Sequence, residues 1–246
     1  MLKTFTKGLT KEEEHQIVLE DYDKIGEDYA KADQTPWNMH YERPNTLSLL
    51  PNVAGLRVLD SGCGAGWYTE WLVRHGAKVT AMDFSPKLVN FTKNRVQKAN
   101  VKHADLEKPL DFLENESVDL VIAPLILHYL KDWSLPMSEF NRILSLGGNL
   151  VFSIHHPFTE WKALNKKNYF ECSFLEDYWK NLKKTVHYYG RPLTDIFGAV
   201  TDAGFVIEKI LEPMPEKKFE ELDSENYELL MSEPWFLFIR ARKDKN

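Results

Sequence analysis

The chain has 246 residues, 43% of them hydrophobic and 13% aromatic, which is enough apolar material for the core of one large domain. A formal net charge of −6 argues against a general attraction to nucleic acid or anionic lipid, so we expect neither partner. The N-terminus lacks the apolar stretch of a secretion signal, and no segment is apolar over the length that a membrane span needs. The two cysteines do not have the spacing of metal ligands. These features predict a cytoplasmic protein.

Short apolar runs alternate with helical patterns through the middle of the chain. Strands are predicted at 56–60, 77–83, 101–105, the start of 117–130 and 149–156, and helices at 66–76, 85–98 and 135–148. Because strands that alternate with helices form parallel sheets with right-handed crossovers, this pattern predicts an α/β fold.

The C-terminal third follows a different pattern. It predicts a helix at 191–205, strands at 205–213 and 235–243, and a polar connector at 214–233. Residues 157–190 are rich in aromatic side chains and break the alternation, so we predict an irregular insertion after the fifth strand. Residues 1–50 are predicted as a mostly helical lead-in or lid, followed by one domain over 51–246.

The stretch VLDSGCGAGW, residues 58–67, places a carboxylate and three glycines between a strand and a helix. Gly62, Gly64 and Gly66 permit a sharp turn and let a ligand lie against bare backbone, near the free N–H groups of the helix. A pyrophosphate gains nothing from Asp60 ahead of this turn, whereas a ligand with an ammonium or sulfonium charge does. A helix cap is the alternative role for Asp60.

Two further carboxylates end the next two strands. Asp83 lies about 20 residues beyond the first strand, where a carboxylate accepts hydrogen bonds from ribose hydroxyls. Asp105 ends the third strand, where it could accept a hydrogen bond from the exocyclic amine of adenine. A helix cap for Asp83 and a plain loop acid for Asp105 are the alternatives. Acids at the ends of three consecutive strands predict a cationic adenosine ligand, S-adenosyl-L-methionine.

The ordered motifs VLDSGCGAG, VTAMDFSPKLV, ADLEKPL, VDLVIAPLILHYL and LSLGGNLVFSIHHP resemble those of the class I S-adenosylmethionine-dependent methyltransferases. The most similar group is built like the ubiquinone/menaquinone-biosynthesis enzymes. The resemblance is strong over 57–156 and weaker over YDKIGEDYA and the C-terminal elements. It implies a Rossmann-like seven-stranded sheet with an antiparallel last strand, helices on both faces and a helical N-terminal lid.

The resemblance also implies contacts for individual residues around the cofactor. Asp83 is expected on the ribose hydroxyls, Phe84 on the adenine face, and Asp60 at the amino group, directly or through water. The other predicted cofactor residues are Gly62, Cys63 and Gly64 at the methionine moiety, Asp105 and Leu106 at the adenine edge, Ala123 and Leu125 at the sulfonium, and Ser85. Packing is the alternative role for Cys63. Ser61 departs from the Leu, Val or Ile of many relatives, a change that we expect to be tolerated.

Three histidines follow strands whose carboxyl ends line the ligand crevice in such sheets. His128 follows the fourth strand, and His155 and His156 end the fifth. Adjacent strand residues point to opposite faces, so no metal site is expected from the last two. We predict His128 or His156 as the base that deprotonates the acceptor, if it needs one, and His155 as an acceptor contact. Hydrogen bonding to nearby backbone is the alternative.

Aromatic residues of the lead-in and the insertion are candidates for the lid and the acceptor pocket. Tyr22 and Tyr29 are seven residues apart and share one helix face, which suits either core packing or a lid. The other predicted lid or acceptor residues are Trp37, Asn38, Tyr41, Trp161 and Tyr178. The alternative for the insertion is that most of its aromatic side chains pack it onto the sheet.

The implied reaction is methyl transfer by in-line displacement to a small-molecule acceptor, which leaves S-adenosyl-L-homocysteine as the product. Without a basic face, methylation of RNA or DNA is less favoured. Two other functions stay open: a non-catalytic, cofactor-binding regulatory module, and a nicotinamide-dependent oxidoreductase, which Asp60 and the glycine spacing disfavour.

Overall fold

The computed structural model describes residues 2–5, 8–31, 34–165, 168–179 and 182–244, without the side chains of residues 25 and 27–31. The elements of the first half are β1 (Lys3–Thr4), α1 (Lys11–Lys31), a π-helical turn (Asn38–Glu42), α2 (Arg43–Ser48), β2 (Arg57–Ser61), α3 (Trp67–Arg74), β3 (Lys78–Asp83), α4 (Pro86–Arg95), β4 (Asn100–His103) and β5 (Val118–Pro124). The elements of the second half are a 3-10 turn (Leu127–Tyr129), α5 (Ser134–Ile143), β6 (Leu144–His155), α6 (Pro157–Leu164), β7 (Ser173–Trp179), β8 (Lys184–Gly190), α7 (Leu193–Asp202), β9 (Phe205–Leu211), α8 (Lys217–Leu222), α9 (Ser224–Leu230) and β10 (Phe236–Lys243).

The large sheet of the described chain has seven strands, in the order β4-β3-β2-β5-β6-β10-β9. Strands β2 to β6 run parallel, and β10 runs antiparallel to both of its neighbours. The strand order reverses between β2 and β5, and the carboxyl ends of strands at such a point open a crevice for ligands. The predicted seven-stranded α/β fold with an antiparallel last strand is confirmed.

Successive residues of the central strands pack on opposite faces of this sheet. In β5, Val121 belongs to the buried cluster under α5 and α7, whereas Ile122 belongs to the cluster under α3, α8 and α9. Both side chains are fully buried, as expected for a strand that is covered on two sides. Helices therefore cover both faces, and the open edge of the sheet lies at the ends of its strands.

The predicted helix at 135–148 is too long. α5 ends one residue before Leu144, which instead starts β6 and pairs with Val118 of β5. The register of the two strands shifts directly afterwards, and Gly147 adopts φ 78° within this irregular part of the strand. The glycines therefore accommodate a bulge in a strand, because pairing with β5 outweighs the helical pattern of the preceding residues.

The insertion and the connector are more regular than predicted. Within 157–190 lie α6 and the antiparallel hairpin of β7 and β8, and β1 pairs with β7 to give a three-stranded sheet. The connector 214–233 contains α8 and α9, which bury Phe219 and Leu230 in the core under the large sheet. Both departures depend on tertiary pairing and packing, which the local sequence pattern does not show.

The N-terminal segment is mostly helical, as the sequence predicts. α1 contacts both α4 and β8, so it connects the large sheet layer to the small sheet of the insertion. None of the helices in the described part of the chain has an apolar stretch long enough to cross a membrane.

Candidate cofactor and acceptor site

A pocket with an empty volume of about 700 Å³ lies at the carboxyl ends of β2, β3 and β5. Its lining consists of His15, Val18, Leu19, Tyr22, Gly62, Gly64, Met82, Asp83, Phe84, Leu88, Ala104, Asp105, Leu106, Pro124, Leu125, Ile126, Tyr129 and Leu130. The predicted cofactor residues among them are Gly62, Gly64, Asp83, Phe84, Asp105, Leu106 and Leu125. One edge of the sheet thus brings together carboxylates, bare backbone and apolar side chains.

The glycine turn folds tightly against β3. The backbone N–H groups of Gly62 and Cys63 both donate to the carbonyl oxygen of Met82, at 2.8 Å. Gly62 and Gly64 have φ angles of 74° and 52°, in the left-handed region that glycine adopts without a steric penalty. A Cβ added to Gly62 would overlap Cγ2 of Ile126 and lie 3.0 Å from its Cβ, so the loop after β5 leaves no room for a side chain here.

Asp83 connects the glycine turn to the start of α4. Its carboxylate accepts hydrogen bonds from the backbone N–H groups of Gly64 and Ser85, both at 2.9 Å. The side chain is 5% exposed and lines the pocket. Burial raises the pKa of Asp83 to about 6, although the two backbone hydrogen bonds favour the carboxylate. This position suits the predicted contact with ribose hydroxyls.

Asp60 lies behind the glycine turn and is completely buried. One carboxylate oxygen accepts a hydrogen bond from the hydroxyl of Thr69 at 2.5 Å, and Oδ1 has no hydrogen-bond partner among the described residues. Burial raises the pKa of Asp60 to about 7, and the negative charge of Asp83 adds to the increase. An oxygen without a protein partner suits the predicted role at an amino group, directly or through water.

The predicted adenine edge includes a histidine that the sequence analysis missed. Phe84 and Leu106 line the pocket beside Asp105. One oxygen of the Asp105 carboxylate accepts a hydrogen bond from the N–H of Glu107 at 2.9 Å, and the other lies 3.1 Å from Nε2 of His15. α1 therefore reaches the carboxylate that the resemblance assigns to the adenine amine.

The spacing of residues in the sequence indicates the pocket wall that α1 forms. Residues 15, 18, 19 and 22 line the pocket, and their spacing of three, four and seven residues places them on one helix face. That spacing could have predicted the whole wall, of which the sequence analysis identified Tyr22 only. The side chain of Tyr29 lies outside the described residues.

Besides Asp60, three predicted cofactor residues stand outside the pocket lining. Ser85 caps α4 by accepting a hydrogen bond from the N–H of Leu88 at 3.4 Å, and Ala123 is fully buried within β5. Cys63 is buried with its Sγ 3.6 Å from Oγ1 of Thr92. Burial raises the pKa of the Cys63 thiol, which suits a packing role rather than a nucleophile. Cofactor contacts for these three residues stay predictions.

One side of the pocket lies between α1 and the loop after β5. The hydroxyl of Tyr22 donates to the hydroxyl of Tyr129 there. Leu125 adopts φ 52°, and its N–H donates to the carbonyl oxygen and the hydroxyl of Ser153, at 2.9 and 3.1 Å. These hydrogen bonds hold Leu125, predicted beside the sulfonium, in a conformation that is uncommon for leucine.

His128, which is 3% exposed, and His155, whose side chain is 15% exposed, form a stacked pair in the segments that follow β5 and end β6. Their ring centroids are 4.3 Å apart, and the ring of Tyr188 stands edge-on to both. Neither nitrogen of the His128 ring has a hydrogen-bond partner among the described residues. Burial lowers the pKa of His128 well below 6.5 and that of His155 to about 4, so both rings are neutral at neutral pH.

His156 has a different environment from its neighbour in the chain. Its Nδ1 accepts a hydrogen bond from the N–H of Phe158 at 3.1 Å, which caps α6, and its Nε2 lies 2.7 Å from a carboxylate oxygen of Glu212. Both ring nitrogens are thus engaged with the protein. Neither His128 nor His156 is among the residues that line the pocket, so a role as the base stays a prediction for both, and only His128 has ring nitrogens without a partner among the described residues.

The remaining predicted lid and acceptor residues lie away from the pocket. Tyr41 is completely buried, and its hydroxyl accepts hydrogen bonds from two backbone N–H groups at the start of β10. Trp37 packs edge-on against Tyr41, and Asn38 begins the π-helical turn. Trp161 and Tyr178 are 40% and 45% exposed on the insertion. Contacts of these residues with an acceptor stay predictions.

Comparison with known proteins agrees with the geometry of the pocket. The family model described as "Methyltransferase domain" matches residues 59–152. An S-adenosylmethionine-dependent methyltransferase from Mesorhizobium loti has a solved structure that is 26% identical, with a TM-score of 0.66, over 85% of this chain and 99% of its own. This chain belongs to the class I S-adenosylmethionine-dependent methyltransferases.

Two relatives differ in how much of this methyltransferase they match. An uncharacterised protein of Haemophilus influenzae is 30% identical over 93% of this chain and 98% of its own length. A ubiquinone biosynthesis O-methyltransferase of Xanthomonas oryzae pv. oryzae is also 30% identical, but over 56% of this chain and 61% of its own length. The match to a relative of named activity is therefore partial.

The pocket suits S-adenosyl-L-methionine, the cofactor of this family. Its lining places the carboxylates of Asp83 and Asp105 beside the bare backbone of Gly62 and Gly64. The buried Oδ1 of Asp60, without a partner among the described residues, adds an acceptor for a positively charged group or a bridging water. The residues present therefore fit a cationic nucleoside.

The buried Asp60 carboxyl makes the stability of this methyltransferase depend on pH. Its ordinary pKa is 3.8 and its pKa in the folded protein is about 7, so between these values the folded protein keeps a proton that the unfolded chain releases. The free energy of unfolding therefore falls as pH rises through this window. Because asparagine stays neutral, we expect Asp60→Asn to gain about 2–3 kcal/mol of stability relative to wild type between pH 5 and pH 8.

Urea unfolding of both proteins without cofactor, at several pH values between 5 and 8, measures this gain. The difference between variant and wild type removes the contributions of the other titrating groups, such as the buried histidines. A difference in stability that stays constant over this range would show that the folded protein does not hold Asp60 as the neutral acid.

Proposed function

We propose that this methyltransferase methylates a small-molecule acceptor in the cytoplasm, with neither nucleic acid nor membrane as a partner. The observation that carries the proposal is that α1 covers one side of the pocket, where Tyr22 meets Tyr129, which in turn contacts the buried His128. Such a site receives a compact molecule more readily than a polymer. The net charge of −6 and the partial match to an enzyme of ubiquinone biosynthesis support the same acceptor class.

In this proposal, different residues of the pocket contact different parts of the cofactor. Bound S-adenosyl-L-methionine supplies an electrophilic methyl group on a sulfonium. Asp83 accepts hydrogen bonds from the ribose hydroxyls, Asp105 accepts from the adenine amine, and Asp60 and the backbone at Gly62 and Gly64 bind the methionine moiety. These carboxylates supply the negative charge that favours a cationic ligand over a dinucleotide.

The acceptor meets the other end of the pocket. The neutral ring of His128 can accept a hydrogen bond or a proton from an O–H or N–H group of the acceptor. Tyr22 and Tyr129 close this end and exclude water from the reacting groups. Leu125, held by Ser153, fixes the edge of the site where the methyl group is expected.

Acceptor screening tests the proposed function. Purified protein is incubated with S-adenosyl-L-methionine and a panel of phenols, catechols, amines, thiols and carboxylates, and the release of S-adenosyl-L-homocysteine is measured. We expect turnover with one of these classes. Tight binding of the cofactor with no turnover across the panel would favour a regulatory module, and binding of NAD but not of S-adenosyl-L-homocysteine would indicate an oxidoreductase.

Removing the Asp83 carboxylate tests the proposed cofactor contacts. We expect Asp83→Ala to weaken the binding of S-adenosyl-L-homocysteine by about 1–3 kcal/mol, roughly 5- to 150-fold, because charged hydrogen bonds to the ribose are lost. The loss of the hydrogen bonds to Gly64 and Ser85, which shape the glycine turn, acts in the same direction. Isothermal titration calorimetry at pH 8 measures the affinity.

Asp119→Ala is the matched control for Asp83→Ala. Asp119 lies on β5 near the opposite end of the sheet, where it pairs with Arg57 at 2.6 Å. Its removal takes away a hydrogen-bonded carboxylate from another strand of the same sheet, at a residue that does not line the pocket. We expect the control to keep wild-type affinity, and equal affinity in both variants would refute the ribose assignment for Asp83.

A further inference from the structure

We propose that His15 completes the adenine subsite and acts as a latch that holds α1 over the bound cofactor through Asp105. The inference rests on the proposed binding of the adenosine moiety along β3 and β4. It adds a residue to that site and assigns α1 a function in cofactor release.

The contact joins α1 to the loop after β4. Nε2 of His15 lies 3.1 Å from Oδ2 of Asp105, and its Nδ1 lies 3.5 Å from a carboxylate oxygen of Glu107. Lys11, one turn earlier on α1, lies 3.7 Å from the other oxygen of Glu107. Two cationic or protonatable groups of the helix thus face two carboxylates of the loop.

The same helix is anchored along its length to the other side of the site. Glu14 accepts hydrogen bonds from Lys131 at 2.7 Å and from the hydroxyl of Tyr189 at 3.1 Å. Asp21 lies 2.7 Å from Nδ1 of His187 on β8. α1 therefore spans the pocket from the adenine edge to the small sheet, and its contact at the adenine edge depends on His15 and Lys11.

The position of His15 couples this contact to the cofactor. His15 and Asp105 both line the pocket, so the carboxylate that holds the helix is the one expected to accept the adenine amine. A carboxylate has about four lone-pair sites and can accept from both groups at once. Bound adenine and the imidazole would then share Asp105, and release of the nucleoside would require the hydrogen bond between His15 and Asp105 to break.

The charge on His15 determines how strongly the latch closes. The hydrogen bond to Asp105 raises the pKa of His15 above 6.5 against the effect of partial burial, and the charges of Asp105 and Glu107 add to this while Lys11 opposes it. Burial alone would raise the pKa of Asp105, but the hydrogen bond from His15 lowers it below its ordinary value. The ion pair therefore exists below the raised pKa of His15, and above it only a hydrogen bond from the neutral imidazole to the carboxylate remains.

Dissociation of S-adenosyl-L-homocysteine from the full-length protein tests the latch. The rate is measured by surface plasmon resonance at pH 6 and pH 8.5 for wild type, His15→Ala and His15→Gln. We expect both variants to release the product roughly 10-fold faster than wild type at pH 6, and His15→Gln to differ only about 2-fold from wild type at pH 8.5. Glutamine keeps a donor without the charge, so the comparison isolates the ion pair.

His75→Gln serves as the matched control, because His75 is an exposed histidine at the end of α3 that contacts Trp71. We expect its dissociation rates to equal those of wild type at both pH values. Equal rates for wild type and both His15 variants would overturn the latch while leaving the proposed function intact. A wild-type protein that binds no S-adenosyl-L-homocysteine would overturn the proposed function, and the latch with it.

Discussion

Replacement of Gly62 by alanine is expected to abolish cofactor binding and to lower the free energy of unfolding by about 3 kcal/mol or more. Gly62 has φ 74°, which an alanine adopts only with strain, and the added Cβ would overlap the branched side chain of Ile126. Relief of the overlap must displace either the glycine turn or the loop after β5. Both segments line the pocket, so the loss of affinity should exceed about 100-fold.

Gly55→Ala is the matched control for the backbone strain that a positive φ causes in alanine. Gly55 also has a positive φ, 81°, but its Cβ would meet nothing within 4 Å. We expect this variant to lose about 1 kcal/mol of stability and to keep wild-type affinity for S-adenosyl-L-homocysteine. Urea unfolding and calorimetry on both variants separate strain from overlap, and equal losses in the two variants would contradict a role for Ile126.

The Gly62→Ala, Ile126→Ala double variant tests the overlap directly. Removing the branched side chain opens the space that the new methyl group needs, at the expense of a cavity. We expect the double variant to be more stable than the sum of the two single losses, with a coupling of about 1–2 kcal/mol. Strict additivity would mean that the strained backbone alone accounts for the effect.

The sheet could be predicted because its signals are local. β2, β3 and β5 are short apolar runs bounded by turn residues, and burial on both faces follows from their composition. The boundary at Leu144 could not be predicted, because the preceding residues favour a helix and only the pairing with Val118 makes the segment a strand. The same limit applies to β1, which is short and exposed and depends on β7 for its hydrogen bonds.

Some residues of the candidate site could likewise be predicted from the local sequence, and others could not. Asp83 and Asp105 follow directly from the ends of strands, and the parallel arrangement brings such ends to one edge. His15 and Tyr129 come from a helix far away in sequence and from a turn whose direction depends on packing. Tyr41 shows the converse, since this aromatic residue of the predicted lid is completely buried in a core cluster, which the sequence pattern does not indicate.

The other large effect is expected at His128, whose environment suits a neutral hydrogen-bond acceptor. The ring is buried between His155 and Tyr188, and neither of its nitrogens has a partner in the described part of the chain. His128 contacts Tyr129, which lines the pocket, and leaving buried polar atoms unpaired is unfavourable, so an acceptor whose O–H or N–H group reaches the ring past Tyr129 would gain from binding there. Because burial holds the pKa of His128 well below 6.5, the ring should be neutral when an acceptor binds at physiological pH.

With an acceptor from the screen, His128→Phe is expected to lower kcat about 100-fold or more while leaving the affinity for S-adenosyl-L-homocysteine within about 2-fold of wild type. Phenylalanine keeps the stacking on His155 and removes both nitrogens, so packing alone predicts no loss. His156→Gln is the control, since the nitrogens of His156 bond to Glu212 and the α6 cap. The acid side of the wild-type kcat profile should stay flat through pH 6.5, because the low pKa of His128 keeps the ring unprotonated there. A His128→Phe enzyme with wild-type turnover would exclude this role for His128.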